Sequence, residues 1–178
     1  HGRHPDNLPD NAGKRVAEDP QQRIWIATAQ GLDRLDKQTG HIEHLVPTKS
    51  QIRGITELMV TREGTIWVAS DDGFFYYLPD DDVPHPVRIL NNRGEPIRYS
   101  QCMMEDHRGH IWLGTWADGL FRYDPHSGEI IQYPQMNSRN SAHVLLEDDH
   151  KRIWVAGWAS GIHVLENAWD MNRLSWKT

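Results

Sequence analysis

One phrase recurs four times along this chain and limits its fold more than any other feature. It reads Arg23-Ile24-Trp25-Ile26-Ala27-Thr28, Thr65-Ile66-Trp67-Val68-Ala69-Ser70, His110-Ile111-Trp112-Leu113-Gly114-Thr115 and Arg152-Ile153-Trp154-Val155-Ala156-Gly157. The tryptophans stand at 25, 67, 112 and 154, with spacings of 42, 45 and 42. A period of about 40–50 residues belongs either to sheet-based blades or to arrays of paired helices. The local pattern separates the two. Each phrase is a β-branched and aromatic run that ends on a small residue and is bounded by turn formers, which is a strand signature. No segment shows helical periodicity without breakers.

Around each phrase lies the same order of short elements. An upstream strand is expected at Arg15–Glu18, Thr56–Val60, Gln101–Glu105 and His143–Glu147. After the Trp strand a turn reaches Gly31, Gly73, Gly119 or Gly161, and a third strand follows at Leu32–Asp36, Phe74–Leu78, Leu120–Asp124 or Ile162–Glu166. In two repeats a turn ending on Gly40 or Gly128 leads to a last strand, Ile42–Val46 or Ile130–Tyr133. The Trp strand is apolar on both faces, as a sheet covered on both sides requires. The expected fold is all-β: a β-propeller of four four-stranded antiparallel blades, about 12–50, 51–97, 98–139 and 140–178, forming a partial propeller or a small ring. Trp25, Trp67, Trp112 and Trp154 are read as wedge fillers between blades. The small residues Ala27, Ala69, Gly114 and Ala156 are read as making room for them.

Composition excludes several functions. The net charge is −6, and Lys and Arg are scattered singly, so no basic stripe for nucleic acid exists. No apolar run is long enough to span a bilayer, and no signal-peptide pattern opens the chain. The single Cys102 cannot form an internal disulfide or a cysteine-based zinc site.

The run Glu105-Asp106-His107-Arg108-Gly109-His110-Ile111-Trp112-Leu113-Gly114-Thr115, followed by Gly119-Leu120-Phe121-Arg122-Tyr123-Asp124, resembles the two-component regulator propeller repeat. Ile24-Trp25-Ile26-Ala27-Thr28 with Gly31-Leu32-Asp33-Arg34-Leu35-Asp36 resembles it nearly as well, and the second and fourth repeats lack the Arg and Asp. The resemblance implies a non-catalytic sensor region in the periplasm, part of a bacterial signalling receptor with a histidine kinase or diguanylate cyclase as output. In that family the sensor usually carries two seven-bladed propellers and a β-sandwich, and its known ligands are often carbohydrates. Four blades is fewer than the family uses, and the chain opens at His1 without Met. A piece of a longer sensor, or a ring completed by association, is therefore expected, with a dimer of about eight blades as the form of the latter.

No catalytic constellation stands out. His41 and His44 alternate across a strand and cannot share an ion. His107 and His110 flank a turn and read as solvated. Asp71-Asp72, Asp80-Asp81-Asp82 and Asp148-Asp149 lack the spacing of a calcium loop and also read as solvated turns. The acid of a sialidase Asp-box, five residues before Trp, is replaced by Pro20, Arg62 and His107 in three repeats, with Asp149 in the fourth. No cofactor and no metal are expected.

In a four-strand meander, the turns between the second and third strands share one rim with the loops joining successive blades. That rim is the expected ligand face. It carries Gln30, Asp71, Asp72, Trp116, Asp118, Trp158 and Ser160 from the turns, and Arg53, Arg98, Tyr99, Asn140 and His143 from the loops. Trp116 and Trp158 stand outside the repeat phrase at equivalent places, in Trp-Ala-Asp-Gly and Trp-Ala-Ser-Gly. An indole in a turn either packs over the blade edge or offers an apolar face to a ligand or partner. The functional expectation is a carbohydrate-responsive sensor. The alternatives are an assembly scaffold or a propeller lyase or glycosidase.

Overall fold

The computed structural model describes residues 15–28, 31–45, 52, 54–97, 100–133, 141–157, 161–171 and 173–177. Among them are sixteen strands in four antiparallel sheets, each of four strands in sequence order. The first sheet holds β1 (Arg15–Glu18), β2 (Arg23–Thr28), β3 (Gly31–Asp36) and β4 (Ile42–Leu45). The second holds β5 (Glu57–Val60), β6 (Ile66–Ser70), β7 (Gly73–Tyr77) and β8 (His85–Val87). The third holds β9 (Ser100–Glu105), β10 (Ile111–Thr115), β11 (Leu120–Tyr123) and β12 (Ile130–Tyr133). The fourth holds β13 (Ala142–Glu147), β14 (Ile153–Gly157), β15 (Gly161–Glu166) and β16 (Ser175–Lys177). The fourth strands of the second and fourth repeats have no glycine turn before them. Pro86 in β8 is tolerated because an edge strand needs fewer donors.

The chain forms two compact units, His1–Arg88 and Ile89–Thr178. In the first, Trp25, Ala27, Leu32 and Leu45 on one face of the first sheet pack against Leu58, Ile66, Val68, Phe75 and Tyr77 of the second. Trp25 is fully buried, with its ring 6.0 Å from that of Tyr77. Arg23 donates across to the Pro79 carbonyl at 2.7 Å, and Arg34 pairs with Asp82 at 2.7 Å. The second unit repeats the plan. Trp112, Leu120 and Tyr133 of the third sheet pack against Ile153, Val155 and Leu165 of the fourth. Tyr133 stacks on Trp112 and donates its hydroxyl to the Ala168 carbonyl at 2.6 Å. Burial pushes the Tyr133 phenol up to about 12.

Gly114 serves the neighbouring sheet. A Cβ there would stand 2.6 Å from the Ala142 carbonyl oxygen and 2.5 Å from the Cys102 sulfur. The small residue thus admits the inner strand of the next sheet, where the sequence reading gave the space to the indole.

Three of the four repeat tryptophans are also tied within their own sheets. The indole N–H of Trp25, Trp112 and Trp154 donates to Asp19, Asp106 and Asp148, at 2.8, 2.9 and 2.8 Å. The acid stands six residues before the tryptophan, one earlier than in an Asp-box. The same carboxylate accepts the backbone N–H of Arg23, His110 or Arg152 and closes the turn. In the second repeat Thr61 Oγ1 accepts the backbone N–H of Thr65 instead. Burial works to raise the Asp106 carboxyl. Hydrogen bonds from Trp169, Trp112 and His110 together outweigh it and hold the group below the usual carboxylate range.

Trp25, Trp67 and Trp112 are at most 2% exposed. Trp154, expected to fill an equivalent wedge, is only half-buried, with the Arg152 guanidinium 5.5 Å from its ring centroid. The acidic and histidine turns expected to be solvated are partly paired. His107 binds Glu147 through its ring and its backbone N–H, His110 binds Asp106 at 3.0 Å, and Asp148 binds Arg152 at 2.7 Å.

Candidate functional site

The rim built from second-to-third-strand turns is best defined at the third sheet. Its turn is closed by Thr115, whose hydroxyl donates to the Gly119 carbonyl at 2.8 Å and accepts the Asp118 N–H at 3.0 Å. Ser70 makes the same pair of bonds around Gly73 and Asp72 in the second sheet. Three residues separate Thr115 from Gly119, against two between Ser70 and Gly73. The extra residue bows the turn outward, and Gly119 at φ 82° ends it in a conformation that suits glycine. Trp116 sits on this bow and is 55% exposed.

The indole has a polar neighbour from the fourth sheet. The His143 ring meets Trp116 edge-on, with centroids 5.5 Å apart and planes at 83°. His143 is the residue at which the β13–β14 register shifts between Ala142 and Val144. A bulge re-aims the side chain it carries, and here it sets the imidazole beside the indole. The Ser141 hydroxyl lies 2.9 Å from His143 Nε2 and fixes the ring.

Asp118 closes the other side and is already partnered. Its carboxylate accepts from the Asn91 amide at 3.0 Å and lies 3.6 Å from the Arg93 guanidinium. Its backbone carbonyl accepts from Gln132 at 2.7 Å. Asn91 and Arg93 come from a small hairpin in the loop ahead of the third sheet, joined by a Leu90–Pro96 bridge and a turn through Gly94. Glu95, on the same hairpin, binds both Asn91 and Arg93. Hydrogen bonds from Asn91 and Arg93, with the Arg93 charge, hold its carboxyl below the usual range.

In the other unit, Asp71 and Asp72 are exposed. Asp71 lies over the loop backbone at Gly54, where a Cβ would meet its carboxylate at 2.0 Å. A glycine is therefore required at 54 while Asp71 keeps this position. Gln30, Arg53, Arg98, Tyr99, Asn140, Trp158 and Ser160 lie outside the described residues. His143 and Ser141 gain their place from the bulge, and Asn91 and Arg93 from the hairpin. Only His143 was in view from the sequence, because neither device leaves a periodic signal.

This surface offers a flat apolar plate, a fixed imidazole and hydroxyl at its edge, and an acid in the turn held by Asn91 and Arg93. It can stack on a ring and hydrogen-bond at the periphery.

Four meander sheets, two of which bury an indole face beneath the next sheet, define the β-propeller class. A family model described as two component regulator propeller matches residues 94–117, the stretch from the hairpin through Trp112 to the rim. No curated protein matches the chain in sequence. Among solved structures, the chain is similar to the extracellular domain of BT4673 from B. thetaiotaomicron, described as a one component system. The TM-score is 0.80 at 18% identity, over 98% of this chain and 23% of that one. It is similar to the extracellular domain of BT3049 from the same organism, described as a hybrid two component system. There the TM-score is 0.75 at 18% identity, over 99% and 23%. A virginiamycin B lyase from Staphylococcus aureus is also similar, with TM-score 0.69 at 14% identity, over 97% and 58%. The chain thus spans about a quarter of the length of the two extracellular domains.

Proposed function

We propose that this chain is a non-catalytic, ligand-sensing portion of the extracytoplasmic region of a bacterial signalling receptor, and that the rim at Trp116 binds a carbohydrate. One observation carries the reading. Trp116 is a large indole placed in solvent by a lengthened turn and fixed from the side by His143. Exposed aromatic faces rimmed by polar groups mark contact sites, and the apolar face of a sugar ring suits this plate. The repeat and the similarity to extracellular receptor domains support the setting, with the periplasm as location and a histidine kinase or diguanylate cyclase as output in the longer receptor. Binding biases the receptor between two packings and so signals without turnover.

A glycan array followed by calorimetry on any hit tests this. Trp116→Ala is expected to weaken binding of the hit at least about tenfold, a loss of about 1.4 kcal/mol. Unchanged affinity in that variant removes the site. Conversion of the hit to product replaces the sensor with a lyase or glycosidase.

A further inference from the structure

The turn that carries Trp116 also carries Asp118, and the two oxygens of its carboxylate are used differently. Oδ1 accepts the Asn91 amide at 3.0 Å and lies 3.6 Å from the Arg93 guanidinium. Among the described residues Oδ2 makes no hydrogen bond or ion pair, and the side chain is 21% exposed. The backbone of Asp118 is tied down on both sides. Its N–H donates to the Thr115 hydroxyl at 3.0 Å, and its carbonyl accepts from Gln132 Nε2 at 2.7 Å. Gln132 Oε1 in turn accepts the Asn92 N–H at 2.7 Å, which fastens the hairpin to the same turn. The carboxylate is therefore held through one oxygen and keeps the other as a fixed acceptor.

That acceptor belongs to the stacking site by its place in the chain. Two residues span at most about 7 Å, so Asp118 lies within one sugar ring's reach of Trp116. A hydroxyl that donates to an ionised oxygen makes a stronger bond than one between neutral groups.

Charge narrows the class of ligand. Two carboxylates, Asp118 and Glu95, flank one guanidinium, Arg93. Arg93 Nε binds Glu95 at 2.8 Å, and Nη2 turns toward Asp118. The edge keeps a surplus of negative charge. A sugar carboxylate placed there meets like charge, whereas a neutral hydroxyl does not.

Resting on the carbohydrate reading of this rim, we infer that Asp118 Oδ2 receives a hydroxyl of an uncharged sugar ring stacked on Trp116, and that the same edge rejects uronic acids. Asn91 and Arg93 are positioning residues that hold Oδ1.

Calorimetry with oligosaccharides of glucose, galactose and mannose, each beside its uronic acid counterpart, tests this. The best neutral sugar is expected to bind the wild type at least about fivefold more tightly than its uronic acid at low salt. That preference should fall toward unity at ~1 M salt, where the Debye length is about 3 Å, and this needs no variant. Asp118→Asn is expected to weaken the neutral sugar about tenfold or more and to reduce the preference. Arg93→Gln removes the one positive charge and is expected to widen the preference. Thr115 and Gln132 hold the turn through its backbone, so both variants should keep the wild-type melting curve. Tighter binding of uronic acids by the wild type overturns the inference. So does wild-type affinity in Asp118→Asn while Trp116→Ala loses binding, and the rim site then stands without Asp118. Unchanged binding in Trp116→Ala overturns the rim site and the inference together.

Discussion

Trp112 and Trp154 hold the same place in consecutive sheets and end in different surroundings. Each donates its indole N–H to an aspartate six residues earlier, at nearly the same distance. Each follows a turn closed by that aspartate. Trp112 is fully buried, whereas Trp154 is half-buried beside exposed Leu146. The aspartate clasp is therefore built within one sheet, and burial of the indole is supplied by the next. Local sequence sets the ring's orientation, and the neighbouring sheet supplies most of its energetic worth.

Truncation should separate these contributions most strongly. Trp112→Ala is expected to destabilise by about 3–5 kcal/mol, the range for a fully packed large aromatic. Trp154→Ala is expected to cost about 1 kcal/mol, because much of that ring already contacts water. Equal losses in chemical denaturation would break the comparison.

The clasps should differ next. Asp106 also accepts from Trp169 at 2.9 Å and is 1% exposed, whereas Asp148 is more open. Asp106→Asn leaves buried donors poorly matched and is expected to cost about 1–3 kcal/mol. The folded carboxyl titrates below the ordinary 3.8. Its contribution is therefore complete above the unfolded value and lost as pH falls through the folded one. Asp106→Asn should flatten that part of the acid limb of a stability–pH curve. Burial works to raise the Asp148 carboxyl, but hydrogen bonds from Trp154 and Arg152 outweigh it and hold the group far below the usual range as well. Asp148→Asn should therefore flatten the same limb, with solvent screening part of the effect.

The turn offers a smaller contrast. Gly109 and Lys151 occupy the same position with φ of 84° and 64°. A lysine there pays a steric cost that glycine avoids. Lys151→Gly is expected to stabilise by about 0.5–1 kcal/mol, read from the denaturation midpoint. Smallest of all, Trp116→Ala on the rim should leave stability within about 0.5 kcal/mol.

These contrasts also mark what the sequence could carry. The alternation and turn residues around Trp25, Trp67, Trp112 and Trp154 placed the strands, because every repeat states them locally. The clasp was visible as an acid six residues before three of the tryptophans, but the Asp-box spacing drew attention one residue too far along. The fate of Trp154 was not readable, since nothing in Ile153-Trp154-Val155 says whether a sheet lies opposite. The site was legible as Trp116 and Asp118 on one turn. It was not legible as a pairing of Trp116 with His143, because a register shift in β13 brings those rings together. Nor did the sequence show Asp118 as already partnered by Asn91 and Arg93, since the 91–95 hairpin that reaches it belongs to a non-repeating loop.

The indoles of Trp25, Trp112 and Trp154 are clasped within their own sheets, and full burial of Trp25 and Trp112 is supplied by the sheet that follows. Fluorine NMR of protein labelled with 5-fluorotryptophan, with Trp112→Phe and Trp154→Phe to assign the resonances, measures it directly. In dilute solution the Trp154 resonance should shift on exchange from H2O to D2O while the Trp112 resonance stays fixed. Equal solvent response at the two positions would contradict the account.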